Sequence, residues 1–422
     1  MTDHAAYVQR LGHDARQAAF ELATLDGATK SAALRLVATA IRASKAALIA
    51  ANAKDVDEAQ EAGLAPALIE RLKLNDKRIA SMADGVDQIA GQVDPVGQIL
   101  EGFVRPNGLK IQKTRVPLGV VLFFYESRPN VTSDAAALCL KSGNAIILRG
   151  GKEAFHSNQA IVGIIKQALR HAKINENAVQ FVATTDRTLV PLILKLDRYI
   201  DLVIPRGGES LIRAVVKDST IPVLKHYTGN CHIYVDAATA DYEQQVRSVC
   251  VNAKTSYPGG AVCNAAEKIL FHVDAAPRLL KKVCEDLATK GVEIRGDERT
   301  CELYPSAIPA TDEDWATEYL AFRIAIKVVD SIDDAIDHIN HYGSRHTDAI
   351  LSTDTRAIAK FSTRVDTASV MVNASTRYAD GGEYGLGAEI GISTDKLHAR
   401  GPMGAADLCT SKWIVTGDGH CR

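Results

Sequence analysis

Apolar side chains recur at helical spacing through roughly the first ninety residues. Leu34, Val37, Ile41 and Leu48 fall near one repeat of about 3.6 in a stretch rich in alanine and charge, which places them on one helix face. Two or three long helices are expected to open the chain. From Arg115 the texture changes to short β-rich runs alternating with helical segments, at 116–125, 133–141, 145–148, 157–171, 179–182, 189–196 and 200–204. Alternation on this scale predicts right-handed βαβ units and a parallel sheet. A second set follows Gly229, with strands expected at 269–273, 324–329, 349–351 and 369–372 and helices at 275–290, 332–341 and 356–364. The pattern alone therefore gives two α/β domains in tandem. Asp380-Gly381-Gly382-Glu383-Tyr384-Gly385-Leu386-Gly387, followed by Gly391, is turn-rich and is expected to form a loop that wraps a neighbouring element.

A length of 422 residues suits more than one buried core. With 49 basic against 51 acidic residues the net charge is -2, so no field of one sign spans the molecule to gather nucleic acid or anionic lipid. The longest mainly apolar run, 116–125, carries Pro117 and Gly119 and falls well short of the roughly twenty residues that span a bilayer. Met1-Thr2-Asp3-His4-Ala5-Ala6 lacks the basic-then-apolar pattern of a secretory signal. A soluble, cytoplasmic protein is expected. The eight cysteines, at 139, 231, 250, 263, 284, 301, 409 and 421, include no Cys-x-x-Cys pair, which argues against a disulfide framework or a structural zinc site and leaves room for one reactive thiol.

Three local features carry candidate chemistry. Ala145-Ile146-Ile147-Leu148-Arg149-Gly150-Gly151-Lys152 is a strand that runs into glycines bracketed by two cations, and open parallel sheets bind ligands at such strand ends. It is no Walker A loop, and the chain contains no Gly-x-Gly-x-x-Gly fingerprint. Arg149 and Lys152 read equally as solvated loop cations. A second strand-to-helix turn, Pro205-Arg206-Gly207-Gly208-Glu209-Ser210, offers backbone N–H groups to a phosphate, or is an ordinary turn. Cys263 follows Tyr257-Pro258-Gly259-Gly260-Ala261-Val262, a small-residue loop that leaves a thiol accessible, although most cysteines are packed hydrophobes. His338 and His341 share a helix face without a third ligand and are expected to be exposed; no metal is assigned. His398 with Arg400-Gly401-Pro402-Met403 reads as a turn rather than an anion site.

Taken together, Pro117-Leu118-Gly119-Val120, Tyr125-Glu126-Ser127-Arg128-Pro129-Asn130-Val131, Leu138-Cys139-Leu140-Lys141-Ser142-Gly143-Asn144-Ala145 and Arg149-Gly150-Gly151-Lys152-Glu153-Ala154 resemble the aldehyde dehydrogenase superfamily. Val262-Cys263-Asn264, Asn373-Ala374-Ser375-Thr376-Arg377 and Leu397-His398-Ala399-Arg400-Gly401-Pro402-Met403-Gly404 extend the resemblance over nearly the whole chain. The match is nearest to the branch that reduces an acyl phosphate. It implies NADPH-dependent conversion of L-glutamyl 5-phosphate to L-glutamate 5-semialdehyde plus phosphate, the second step of proline biosynthesis. An acylating dehydrogenase acting on another acyl phosphate or a coenzyme A thioester is the alternative, and a silent cofactor-binding protein with a packed Cys263 a third reading.

The resemblance also assigns roles. Cys263 matches the nucleophile. Asn130, with the backbone N–H of Cys263, is the choice for the oxyanion, the superfamily's asparagine falling somewhere within 127–130. Arg128 and Arg377 are the cations expected for the substrate's carboxylate and phosphate, in either order. Where the superfamily has Lys-x-x-Glu, this chain has Arg149 and Lys152, a pair suited to a 2′-phosphate and hence to NADPH. Gly207 and Gly208 would approach the pyrophosphate, and Glu318 aligns with a glutamate on the nicotinamide ribose. Hydrolytic members carry a water-activating glutamate in Leu-Glu-Leu-Gly-Gly; the corresponding Leu224-Lys225-His226-Tyr227-Thr228-Gly229 has no carboxylate, with Tyr227 expected in its place. The implied domains are a cofactor domain at 1–228, interrupted by flap strands near 103–116, a catalytic domain at 229–400 and an oligomerisation segment at 401–422. A homodimer or homotetramer is implied, as is transient association with the kinase that makes the acyl phosphate.

Overall fold

The computed structural model describes residues 4–126 and 128–422, so Met1-Thr2-Asp3 and Ser127 lie outside it. The chain opens with helices His4–Leu22, Gly27–Ala43, Lys45–Glu61, Pro66–Leu72 and Asp76–Gly91. Leu34, Val37, Ile41 and Leu48 are all buried, as their spacing predicts. The second helix starts where Asp26 accepts the Thr29 N–H at 2.7 Å, an N-cap worth about 1 kcal/mol. The buried Lys30 ammonium is neutralised by Asp94 at 2.7 Å.

Beyond this helical layer, Val179–Phe181, Ala145–Arg149, Val120–Phe124 and Leu202–Pro205 form a parallel sheet in that spatial order. Val120–Phe124 and Ala145–Arg149 read as unbroken apolar runs because both faces are covered, on one side by Asn130–Lys141 and Phe155–His171. A second parallel sheet runs Ile308–Pro309, Glu293–Gly296, Arg323–Val329, Ala266–His272, Cys231–Val235, Thr347–Leu351, Ser369–Val372. Cys231–Val235 lies near its middle and escaped the sequence pattern: a five-residue run containing Cys231 and His232, buried at every position, has neither alternation nor a purely apolar texture.

The turn-rich stretch after Ala379 does wrap back. Ile390, Ala399, Met403 and Leu408 pack into the core around the first sheet, and Gly391–Ser393 pairs with Gly401–Met403. The chain then ends on Cys409–Thr416, antiparallel to Lys110–Pro117, itself paired with Ile99–Val104. This three-stranded sheet exposes Ile99, Phe103, Val104, Trp413 and Val415. No helix among the described residues is long and apolar enough to cross a membrane.

The expectation for His338 is overturned. It is buried among Trp315, His232 and Tyr342, with ring centroids 4.7–5.6 Å away, and burial pushes its imidazole down to about 2. His338 lies on the same buried stripe of Ile332–Tyr342 as Ala335 and Ile339, which accounts for this; His341, three residues on, is exposed.

Candidate active site

Parallel topology gathers the candidate residues into two clusters, one at an edge of each sheet. At the C-terminal ends of the smaller sheet, a cavity of about 540 Å³ is lined by Glu126, Arg149, Gly150, Gly151, Lys152, Arg187 and Ser210 among others. Its size is within the range of small-molecule sites. Arg149 donates to the carbonyls of Gly150 at 2.6 Å and Thr185 at 3.3 Å, while its Nε is buried without a partner. Lys152 is exposed in the same cavity. Gly150 is required: a Cβ there would sit 2.3 Å from Nδ2 of Asn158, a side chain held through its Oδ1 by the chain Tyr125–Thr132–Asn158.

The Gly207-Gly208 turn precedes helix Glu209–Asp218 as expected, yet its donor is taken. Glu126 Oε1 accepts the Gly208 N–H at 2.8 Å, and a Cβ on Gly207 would meet the same oxygen at 2.7 Å. A carboxylate at a helix N-terminus is the arrangement the helix dipole favours. A phosphate arriving there displaces or repels Glu126.

The second cluster lies at the N-terminal edge of the larger sheet. His226 and Gly229 precede Cys231–Val235, Cys263 precedes Ala266–His272, His346 precedes Thr347–Leu351, and Glu318 precedes Arg323–Val329. These four strands are consecutive neighbours and run the same way, so the segments that enter them meet. Cys263 is half-buried. The backbone before it turns through Gly259 and Gly260 at φ 68° and 65°, conformations only glycine adopts without strain, and a Cβ on Gly260 would lie 3.0 Å from the Ala321 carbonyl. Gly229 approaches the Cys263 backbone so closely that a Cβ would fall 1.9 Å from its carbonyl oxygen. The Gly229 N–H donates to Glu318 Oε1 at 2.8 Å, and burial raises the Glu318 carboxyl above its ordinary range.

On the other side, Asn264 ties the thiol loop to the turn Thr376–Tyr378 by donating to the carbonyls of Arg377 at 3.3 Å and Ala379 at 3.0 Å. The Arg377 backbone is thereby tied to the residue that follows Cys263. Its guanidinium lies over the Tyr257 ring and donates from Nε to Ser256 Oγ, leaving one terminal nitrogen buried without a partner.

Two other candidates stand apart from the thiol loop. Asn130 begins helix Asn130–Lys141 and directs its amide at Asp134 on the next turn, at 3.1 Å; among the described residues no hydrogen bond joins it to Cys263. Arg128 is exposed, its backbone N–H held by the Glu126 carbonyl at 2.8 Å. Tyr227 does not occupy the place given to it from sequence. Its ring lies under the Arg213 guanidinium at 4.9 Å, and the residue of that segment facing the thiol is His226. Alternation along an extended segment turns neighbours to opposite sides.

Sequence reading missed His226 and His346, which offer nitrogen atoms within 4.8 Å of Cys263 Sγ and of each other. His346 is fully buried and pushed down to about 4, chiefly by desolvation. The signal available was positional: each histidine immediately precedes or nearly precedes a buried strand, but only the strand order brings them together.

Residues 2–307 match the model of the aldehyde dehydrogenase family. The chain is 51% identical to a γ-glutamyl phosphate reductase of Rhodopirellula baltica, over 100% of this chain and 96% of that protein. The crystal structure of γ-glutamyl phosphate reductase from Thermotoga maritima superposes with a TM-score of 0.95 at 44% identity, covering 98% of this chain and 99% of the other. An acetylating aldehyde dehydrogenase from Geobacillus thermoglucosidasius shares the fold, with a TM-score of 0.69 at 14% identity over the full length of both chains.

Proposed function

Because the chain belongs to the aldehyde dehydrogenase family, and within it to the γ-glutamyl phosphate reductases, we propose that its two clusters carry out NADPH-dependent reduction of L-glutamyl 5-phosphate on Cys263. The reaction is that of the proline-biosynthesis enzyme: the acyl phosphate becomes L-glutamate 5-semialdehyde and phosphate. Full-length identity near one half favours this substrate over a coenzyme A thioester, since the acetylating relative shares only the fold.

The Cys263 thiolate attacks the substrate's acyl carbon, forming a C–S bond, and the tetrahedral oxyanion collapses by expelling phosphate to leave a thioester. The unpartnered Arg377 nitrogen, on the turn that Asn264 ties to the thiol loop, suits an anionic substrate group, with Arg128 as the second cation. Asn130 and the Cys263 N–H are the oxyanion donors in this reading, which requires the Asn130 amide to leave Asp134. A bound nicotinamide would supply hydride to the thioester carbon, and the Cys263 thiolate would then leave the resulting thiohemiacetal as the aldehyde is released. The segment 224–229 holds no carboxylate to activate water against the waiting thioester.

For the dinucleotide, the cavity at the smaller sheet supports Arg149 and Lys152 on the 2′-phosphate, while Gly207 and Gly208 would meet the pyrophosphate once Glu126 leaves the Gly208 N–H, and Glu318, in the thiol cluster, would meet the nicotinamide ribose. The buried, unpartnered Arg149 Nε is the observation that fits the group to these residues. A charge-assisted contact is worth about 1.5–3 kcal/mol, so Lys152→Glu should lower the ratio of NADPH to NADH efficiency by roughly 10- to 100-fold. Equal efficiency with both nucleotides in the unmutated enzyme would sink the assignment. The domain boundaries near 228 and 400 follow the same reading. The apolar side chains of Ile99–Val104 and Cys409–Thr416 support subunit pairing into a dimer or tetramer, and a transient contact with the kinase that makes the acyl phosphate completes it.

The observation that carries the proposal is Cys263 set between Gly229 and the Arg377 turn. The test is the reverse reaction, NADPH formation from NADP with glutamate 5-semialdehyde. Turnover is expected to require phosphate; equal turnover without phosphate would mean that water accepts the acyl group.

A further inference from the structure

Three donors of soft-metal chemistry converge at the thiol. Cys263 Sγ and one nitrogen each of His226 and His346 lie within 4.8 Å of one another. Two ring nitrogens in this cluster, His226 Nδ1 and His346 Nε2, are buried without a partner. Leaving a buried polar atom unpaired costs about 1–3 kcal/mol, so a ligand that satisfies both recovers that cost. His346 is fully buried, and its other nitrogen, Nδ1, is engaged by Thr347 Oγ1 at 2.9 Å. In the tautomer whose Nδ1–H donates to Thr347, this is the arrangement of a metal-ligating imidazole, one nitrogen fixed by a supporting hydrogen bond and the other holding a free lone pair.

We propose that Cys263, His226 and His346 form a three-donor site for a soft divalent cation of the Zn²⁺ class, occupancy of which reversibly locks the thiolate. Cysteine and histidine are the donors zinc prefers, and bond lengths of about 2.3 Å to sulfur and 2.0–2.1 Å to nitrogen put tetrahedral donors about 3.3–3.6 Å apart. The cluster must therefore contract by no more than about 1.5 Å. His346 is anchored, whereas Cys263 and His226 are half-buried on loop segments that can close on the ion. Three protein donors leave the fourth position open to water or to an oxygen of the substrate. Binding converts the Cys263 thiol to a metal thiolate and releases its proton. The groups facing His346 are Cys231, Thr347, Glu318, Asp348, Glu389 and Arg206, whose carboxylates add favourable field for a cation. The locking part of the proposal rests on Cys263 being the nucleophile; the binding part does not.

The chelator-treated enzyme titrated with Co²⁺ alone is expected to develop the thiolate-to-cobalt charge-transfer absorption of a tetrahedral site, with one ion and one proton per chain. The band should vanish in Cys263→Ser and weaken at least tenfold in affinity in His346→Gln and in His226→Gln. Thr347→Val, which removes only the supporting hydroxyl, should lose about 10- to 100-fold in affinity. Zn²⁺ should inhibit the phosphate-dependent reaction and a chelator restore it. Absence of the band at stoichiometric Co²⁺, or its persistence in both histidine variants, overturns the site. A band without inhibition leaves the metal site standing and instead overturns Cys263 as nucleophile.

Discussion

Cys263→Ala is expected to reduce phosphate-dependent turnover by about 10⁴-fold or more while dinucleotide affinity changes less than twofold, because removing a covalent nucleophile eliminates the low-barrier route rather than weakening it. The two clusters make the split readable. Cys263 precedes Ala266–His272 in the larger sheet, whereas the cavity proposed for the dinucleotide is built on Val120–Phe124, Ala145–Arg149 and Glu209–Asp218. Cys231 serves as the internal control. Its sulfur donates to the Cys263 carbonyl at 3.2 Å, it is fully buried, and burial raises its thiol well above the ordinary range, so Cys231→Ser should alter stability but keep turnover within about tenfold. Substrate turnover by purified Cys263→Ala, measured beside Cys231→Ser with fluorescence titration of NADPH, checks both. Loss in the second variant but not the first would transfer the chemistry to Cys231.

The neighbourhood of Cys263 also marks where sequence reading stopped. The opening helices and the strands of the smaller sheet were legible because long periodic segments and doubly buried apolar runs announce themselves locally. Arg149, Lys152 and the thiol were legible as motifs with glycine beside them. His226, by contrast, differs from Tyr227 only in which way an extended segment faces, and His346 looks like any residue at the start of a strand. Their convergence depends on Thr347–Leu351, Cys231–Val235 and Ala266–His272 lying side by side, an order in which the middle strand was the one the pattern missed. Gly208 shows the complementary failure: local sequence offers its N–H to a phosphate, whereas in the fold that N–H is held by the carboxylate of Glu126, 82 positions away in sequence. Pairings of that range are set by the fold, not by the motif.

A buried charge network behind the thiol loop sets the second large effect, on stability. Lys254 and Glu267 are both fully buried and paired at 2.9 Å, and Glu267 also accepts the Leu320 N–H at 3.3 Å. Lys268, next in the strand, donates to the Thr317 carbonyl at 2.7 Å. Burial pushes both lysines down, Lys268 to about 7, and pushes Glu267 up. Together these contacts clamp residues 317–320, where Leu320 takes φ 49°, and so orient Glu318 toward Gly229 and the thiol loop. Glu267→Ala leaves two buried ammonium groups without their counter-charge, and is expected to cost about 3–5 kcal/mol, read as a lower denaturant midpoint. The same loss should loosen Glu318 and raise KM for the nucleotide in whatever fraction folds. Replacing both partners, Lys254→Met with Glu267→Met, removes the desolvation cost along with the attraction and should lie closer to the parent than either single change, giving a coupling that a double-mutant cycle measures directly. If Glu267→Ala shifts stability by less than about 1 kcal/mol, the pair is not charged in the folded chain and the clamp on Glu318 rests on Lys268 alone.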